Sequence, residues 1–339
     1  MEPVTHVLTS AALARGAFDR TRFAMPAAVT AALAVDLDWL ALSGGAESYL
    51  TYHRVATHSL IGSATVAIAV GALFWLAGRQ HPTKPASLVR LLTVALAAAW
   101  LHVLLDLMNP YGVALFWPVN SRRFAWDLAG MLDPWLLAVL LAGWLLPTLL
   151  RLVTEEIGAK AERKGPRRWA IGTMALVALY CGARWYLHGN AVTLLDSRVY
   201  HGAAPRRVAA LPDSPSPLKW RGLVETENTH EEIEVPVGPG GFFDSDRSVT
   251  LFKPEASPAL EAAQNTSAVQ QFVAAARFPL ASVEQIGKAD GMPDGGFRVT
   301  VRDLHFTERT TMAKPVVVII EMDSQLRVLD ERFEFREQD

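Results

Sequence analysis

Cysteine is nearly absent: the 339 residues hold one, Cys181. A single thiol excludes an intrachain disulfide and a cysteine-based zinc knuckle, and its place inside an apolar run reads as helix packing. Charge is also scarce, at 19% Asp, Glu, Lys and Arg against 51% hydrophobic residues. With a mean hydropathy of +0.19 the chain is too apolar for an average soluble protein of its length. Lys and Arg sit in short clusters beside apolar runs and form no stripe interleaved with aromatics, which argues against nucleic acid as a partner. Internal repeats are lacking too, and this weighs against the paired halves of a transporter.

What is present is a set of long apolar runs. Phe23 to Leu42, Ser59 to Gly78, Leu88 to Met108, Met131 to Leu150 and Trp169 to Leu187 each approach the roughly 20 residues that cross a bilayer core as helix. Their recurrence and length exclude a secretory signal peptide. Trp39, Trp75, Trp100, Trp135, Trp144, Trp169 and Trp185 fall in or near the ends of the runs, where interfacial tryptophans gather. Basic residues set the orientation. Arg151, Lys160, Arg163, Lys164, Arg167 and Arg168 make the strongest cytoplasmic anchor, and Arg79, Lys84 and Arg90 a second, against a minor dissent from Arg122 and Arg123. Segments 43–58 and 109–130 are therefore expected outside, and Val4 to Phe18 reads as a short, shallow or partly re-entrant helix.

The charge divides along the chain. Sixteen basic and eleven acidic residues give +5 over positions 1–190, and sixteen against twenty-three give −7 beyond them. The fold expected is an all-α polytopic membrane helix bundle over 1–190, a Pro-rich linker over 191–217 and a small α+β, mostly β, soluble domain over 218–339. LKWRGLVE, EEIEVPV, GFRVTVRDLHF, PVVVIIEM and LRVLDERFEF alternate as strands do, and one helix is expected near Pro258 to Ala276. By the orientation above this domain is extracytoplasmic.

Ionisable residues inside a membrane segment are costly and usually functional or paired. Asp36 and Asp38 in AVDLDWL, Asp106 in HVLLDLMNPYG, and Asp127 and Asp133 in FAWDLAGMLDP all lie near predicted outer helix ends. His6, His53 and His58 fall at the same level, and His102 precedes Asp106 by four residues, one turn away on one helix face. Imidazoles and carboxylates together suit Zn, Mn or Fe, and a cation offsets the cost of gathering carboxylates at low dielectric. Asp36 and Asp38 diverge by roughly 200 degrees on a helix, so one is expected to ligate and the other to support a ligand from outside. Simpler roles compete with these: Ser59 as a helix cap, His102 with Asp106 as a packing pair, Asp133 before Pro134 as a helix start, Asp127 as a solvated loop residue. Arg54 suits a phosphate or carboxylate, with a snorkelling arginine at the interface as the competing role, and Asn109 opens a turn with Tyr111 and Gly112 and is a candidate to reach the site. His81, His188, His201, His230 and His305 lack companions at ligand spacing.

VTH near the amino end, DxD, HRxxTHS, HxxxDxxNPYG and LDP, in this order over residues 1 to 150, resemble the bacterial YdjM-like and YfhP-like inner-membrane proteins, described as membrane-bound metal-dependent hydrolases. Val55 stands where the family often has glycine. The resemblance implies a multi-pass protein of the bacterial inner membrane with His6, Asp36, Asp38, His53, His58, His102 and Asp106 at its site. The same order of residues is similar, more faintly, to the all-α zinc-dependent phospholipase C and P1 nuclease group, which implies zinc acting on a phosphoester. The expectation is hydrolysis of an ester, phosphoester or lipid-linked, with a divalent metal, zinc foremost, as cofactor. Arg54, Asp36 and Asp38 would be catalytic, and Asn109, Asp127 and Asp133 are additional candidates. The competing expectation is a non-enzymatic membrane protein whose metal or carboxylate-histidine network locks its helices and whose soluble domain meets a partner.

Overall fold

Small residues decide how closely the helices pack. In a computed structural model that describes residues 1–80, 85–156 (main chain only at 153–156), 165–287, 295–306 and 315–335, α1 spans Pro3–Ala17 and α2 Ala24–Val35. A 3-10 helix, Asp36–Gly44, leads into α3, Gly45–Tyr52. Then come α4 Leu60–Gly78, α5 Leu88–Leu107, α6 Pro134–Glu156 and α7 Gly165–Asp196. Five helical stretches among the described residues are long and apolar enough to cross a membrane. His81, Lys84, Lys160, Arg163 and Lys164 lie outside the described residues.

The chain divides into two compact units, residues 1–38 with 54–187 and residues 39–53 with 188–339. In the first, Ala24, Ala27, Ala28, Ala31 and Ala32 of α2 are buried, and Leu91, Val94, Ala95, Ala98 and Ala99 form the matching stripe of α5. Alanine lets two backbones approach closely where apolar burial alone gives no drive inside lipid. His102 and Asp106 continue the buried stripe of α5 in the same three- and four-residue steps. That continuation is why two polar groups of α5 end up buried within the bundle. Leu145, Leu149, Ile171, Leu176 and Leu179 of α6 and α7 stay exposed, as lipid-facing residues do. Cys181 packs with its sulfur 3.6 Å from that of Met108.

The second unit holds two four-stranded antiparallel sheets, each a meander in chain order. The first is β1 Arg207–Pro212, β2 Lys219–Glu225, β3 Thr229–Pro236 and β4 Val249–Phe252. The second is β5 Pro279–Ile286, β6 Gly296–Asp303, β7 Val316–Asp323 and β8 Val328–Phe335. Ala209, Leu211 and Leu223 of one sheet share a core with Phe278, Leu280 and Leu304 of the other region. All five strands expected from alternation are present, and β1, β4 and β5 are additional. The stretch 191–217 is corrected: it carries the end of α7 and the whole of β1, because an edge strand tolerates the prolines that suggest a linker. The single helix expected at 258–276 is two, α8 Pro258–Gln264 and α9 Ser267–Ala275. Thr266 caps the second by accepting the Val269 N–H at 3.4 Å, which ends one helix and starts the next.

Two predictions follow from this packing. A side chain at Gly143 of α6 would collide with Thr173 of α7, so Gly143→Val should lower stability by about 1 to 3 kcal/mol, read as a drop in Tm of the purified protein. Asp303 accepts N–H bonds from Arg277 (2.6 Å), Phe278 (2.9 Å) and His305 (3.1 Å) and lies 2.8 Å from the His305 ring. Burial alone would raise its pKa, but His305 and the backbone donors outweigh it and hold the carboxyl down at about 2. Its stabilisation is complete above about pH 4 and is lost as pH falls through about 2; at neutral pH Asp303→Asn should cost about 2 kcal/mol, measured by hydrogen exchange of β5 and β6 in the full chain.

Candidate metal centre

The first unit brings four donors together at one end of three helices. Asp36 follows α2, His58 precedes α4, and His102 and Asp106 close α5. Each offers one ligand atom, and the four atoms lie within 4.8 Å of one another. His58 Nε2 is 3.4 Å from Asp36 Oδ1, 3.1 Å from Asp106 Oδ2 and 3.3 Å from His102 Nε2. His102 Nε2 is 3.4 Å from both Asp36 Oδ1 and Asp106 Oδ2. Five of the six edges are thus 3.1 to 3.4 Å. A tetrahedral ion with bonds of about 2.0 to 2.1 Å sets its ligands about 3.3 Å apart. The residues present fit a small divalent metal, and this cluster could bind one.

Local sequence explains each placement. Ser59 caps α4 by accepting the Gly62 N–H at 2.9 Å, which fixes His58 just ahead of the first turn. A side chain at Gly62 would strike the Ala56 carbonyl, so glycine permits this tight entry. Arg54 takes a left-handed backbone (φ 57) and donates its N–H to Asp38 Oδ2 at 2.6 Å. The same carboxylate oxygen lies 3.1 Å from His58 Nδ1. Asp36 and Asp38, divergent on their 3-10 turn, therefore meet His58 on opposite sides: Asp36 at Nε2, Asp38 at Nδ1. An acceptor at Nδ1 fixes the ring and leaves Nε2 free to ligate. Burial disfavours a charged His58, but Asp106, Asp36 and Asp38 outweigh it and hold its pKa up to about 10. In the absence of a cation this ring adds to the positive charge that the Arg54 guanidinium brings to the carboxylates.

Around the four donors, His6 of α1 stacks on His102 at 3.7 Å between ring centroids and places Nε2 3.3 Å from Asp106 Oδ1. Arg54 Nη2 reaches the same oxygen at 3.2 Å, and the Met1 ammonium also contacts it. The loop after α5 is pinned by Ala114 N–H to Arg54 O (3.0 Å), Leu60 N–H to Leu115 O (3.0 Å) and Leu128 N–H to Met108 O (2.7 Å).

Three expected members lie elsewhere. His53 belongs to the second unit, stacked on Tyr49 at 4.6 Å and edge-on to Trp39 at 5.3 Å, and is not among the clustered donors. Asp133 caps α6, accepting from Trp135 N (3.1 Å) and Leu136 N (3.0 Å), and takes the Tyr180 hydroxyl at 2.7 Å. Asp127 lies in the loop before α6 on a left-handed backbone and is not among the clustered donors. His305, read as lacking companions, pairs with Asp303, a partner two residues away that the sequence displays.

With this geometry in view, comparison of the sequence is decisive at the level of family. A family model described as YdjM inner membrane protein matches residues 1–191. The chain belongs to the YdjM family. The match covers all the clustered donors and ends within α7, before β1. No curated protein and no solved structure matches. As a YdjM family member with several apolar spans, the chain is a multi-pass protein associated with the lipid bilayer of the inner membrane.

The division between Asp38 and Asp133 is testable. With an added divalent ion as probe, Asp38→Asn should weaken its binding roughly 10- to 100-fold, read by chelator competition. Asp133→Asn should leave the affinity for that ion unchanged and cost about 1 kcal/mol of stability through the lost cap.

Proposed function

We propose that this YdjM family member is a membrane-bound, metal-dependent hydrolase that cleaves an ester at the extracytoplasmic face of the inner membrane. The observation that carries this reading is the set of two imidazole nitrogens and two carboxylate oxygens, all buried but the partly exposed Asp36, with five of six separations at tetrahedral spacing. Asp36, His58, His102 and Asp106 would hold the ion, with His6 beside them, and zinc suits the donor set best, ahead of Mn or Fe. When bound, such an ion acts as a Lewis acid and makes a hydroxide-like nucleophile available near neutral pH. Asp38 orients His58 through Nδ1. Asp36, whose side chain is 15% exposed against 0% for Asp106 and 6% for Asp38, is the carboxylate most open to an entering substrate, and since it offers the ion one oxygen only, its second oxygen would take up the proton from water. Arg54, already against Asp106, stabilises negative charge as it develops. The positive-inside distribution supports the outer face, and the position of the donors at helix ends suits a lipid or lipid-linked ester.

One observation favours a second reading, a non-enzymatic protein with a structural ion: four protein donors already complete a tetrahedral zinc shell, whereas catalysis needs an open position. Metal analysis with a hydrolysis screen against phosphodiesters and lipid head groups separates them. The hydrolase carries about one ion per chain, loses it in His58→Ala and His102→Ala, and loses turnover by at least about a hundredfold in both. Metal-free wild-type protein sinks both metal readings. Bound metal without hydrolysis, and with a lower Tm on chelation, selects the structural ion.

A further inference from the structure

The metal cluster leaves one neighbouring set of polar groups unused. Arg54 is 2% exposed and places Nη2 against Asp106 at 3.2 Å, yet its Nε and Nη1 are buried with no acceptor. Asn109, also 2% exposed, accepts the Tyr111 N–H on Oδ1 at 3.0 Å, which leaves its Nδ2 buried with no acceptor. Buried N–H groups without acceptors are costly and are seldom retained without a ligand or water to satisfy them.

Both side chains border one turn. The Asn109 N–H donates to the Asp106 carbonyl at 3.1 Å, and the Arg54 guanidinium lies 5.3 Å from the centre of the Tyr111 ring. The Arg54 main chain is clamped on both sides, by Asp38 through its N–H (2.6 Å) and by Ala114 through its carbonyl (3.0 Å). These bonds fix where the guanidinium emerges, next to a carboxylate of the metal cluster.

We infer that Arg54 and Asn109 form an oxyanion seat beside the metal cluster that takes a phosphoryl group, whether that of a lipid head group or of free phosphate. The inference rests on the hydrolase reading and names its substrate class. The unused donors carry one hydrogen on Nε, two on Nη1 and two on Nδ2. A carboxylate has about four lone-pair positions on two oxygens, fewer than the hydrogens on offer, whereas a phosphoryl group presents further oxygens. Charge agrees. Asp36, Asp38 and Asp106 with Arg54 sum to a deficit that one divalent ion cancels, and the Met1 ammonium beside Asp106 adds no negative charge, so an entering anion meets a guanidinium with unpaired N–H groups and no net repulsion.

The test uses the full-length protein in detergent, loaded with zinc and assayed for zinc content. Inorganic phosphate and short-chain phosphatidic acid are titrated in parallel by calorimetry, with acetate as the carboxylate comparison. The expected result is binding of at least one phosphoryl ligand, weakened roughly tenfold or more in Arg54→Gln and several-fold in Asn109→Ala, with zinc content unchanged. Binding of phosphate alone supports the seat and assigns a soluble source; binding of phosphatidic acid alone supports it and assigns a lipid head group. Should Arg54→Gln fail to fold, Asn109→Ala carries the comparison. The seat is overturned if zinc-loaded wild type binds neither ligand, if acetate binds as tightly, or if the folded variants bind like wild type. A chain that takes up no zinc, Mn or Fe overturns the hydrolase reading and the seat with it, whereas a zinc-loaded chain that binds neither ligand overturns the seat alone.

Discussion

Three carboxylates in an apolar bundle need positive charge close by, and this requirement organises the membrane half of the molecule. Asp36, Asp38 and Asp106 converge on His58, with Arg54 alongside. At low dielectric the attraction is strong, but so is the cost of leaving any of these groups alone. The end of α2, the approach to α4 and the end of α5 are therefore tied at one point, and α1 joins through the stacking of His6 on His102.

The surrounding backbone serves the same point. The left-handed turn at Arg54 and the cap at Ser59 set the two ends of the short link that carries His58. The loop after α5 returns to pair with Arg54 and Leu60. Most of the donors are thus held on helix ends and hydrogen-bonded turns, and a site that must keep four ligand atoms at fixed spacing needs such support. The alanine stripes of α2 and α5 allow the close approach that brings Asp36 to His102.

The second unit obeys different rules. Its two meanders are stabilised by alternation of apolar and polar side chains and by a core around Leu223, Phe278 and Leu304. The family match stops before β1, so the chemistry assigned to the membrane half draws no support from the sheets. Within the sheets, Asp303 joins β6 to the chain leading into β5 through backbone donors, a local role that a lone histidine count does not suggest.

Much of this was legible along the chain. Apolar runs of about 20 residues read as spans, because a helix of that length crosses the bilayer core with its backbone satisfied within itself, and the i, i+4 pair of His102 and Asp106 sits on one face whatever surrounds it. Alternation marked β2, β3, β6, β7 and β8, while β1 was hidden by prolines that an edge position tolerates. His53 and His58 look equivalent in sequence, but His58 alone joins the clustered donors while His53 stacks on Tyr49, since spacing carries no information about the ring contacts each will make. Asp133 likewise looks like a ligand until its cap and its Tyr180 bond are seen. The sequence by itself determined the spans, the family motifs and which residue types could gather at one face. Tertiary structure alone decided which of them meet, because a distance of 3.1 to 3.4 Å between groups far apart in sequence depends on helix packing and turn geometry that no local pattern encodes.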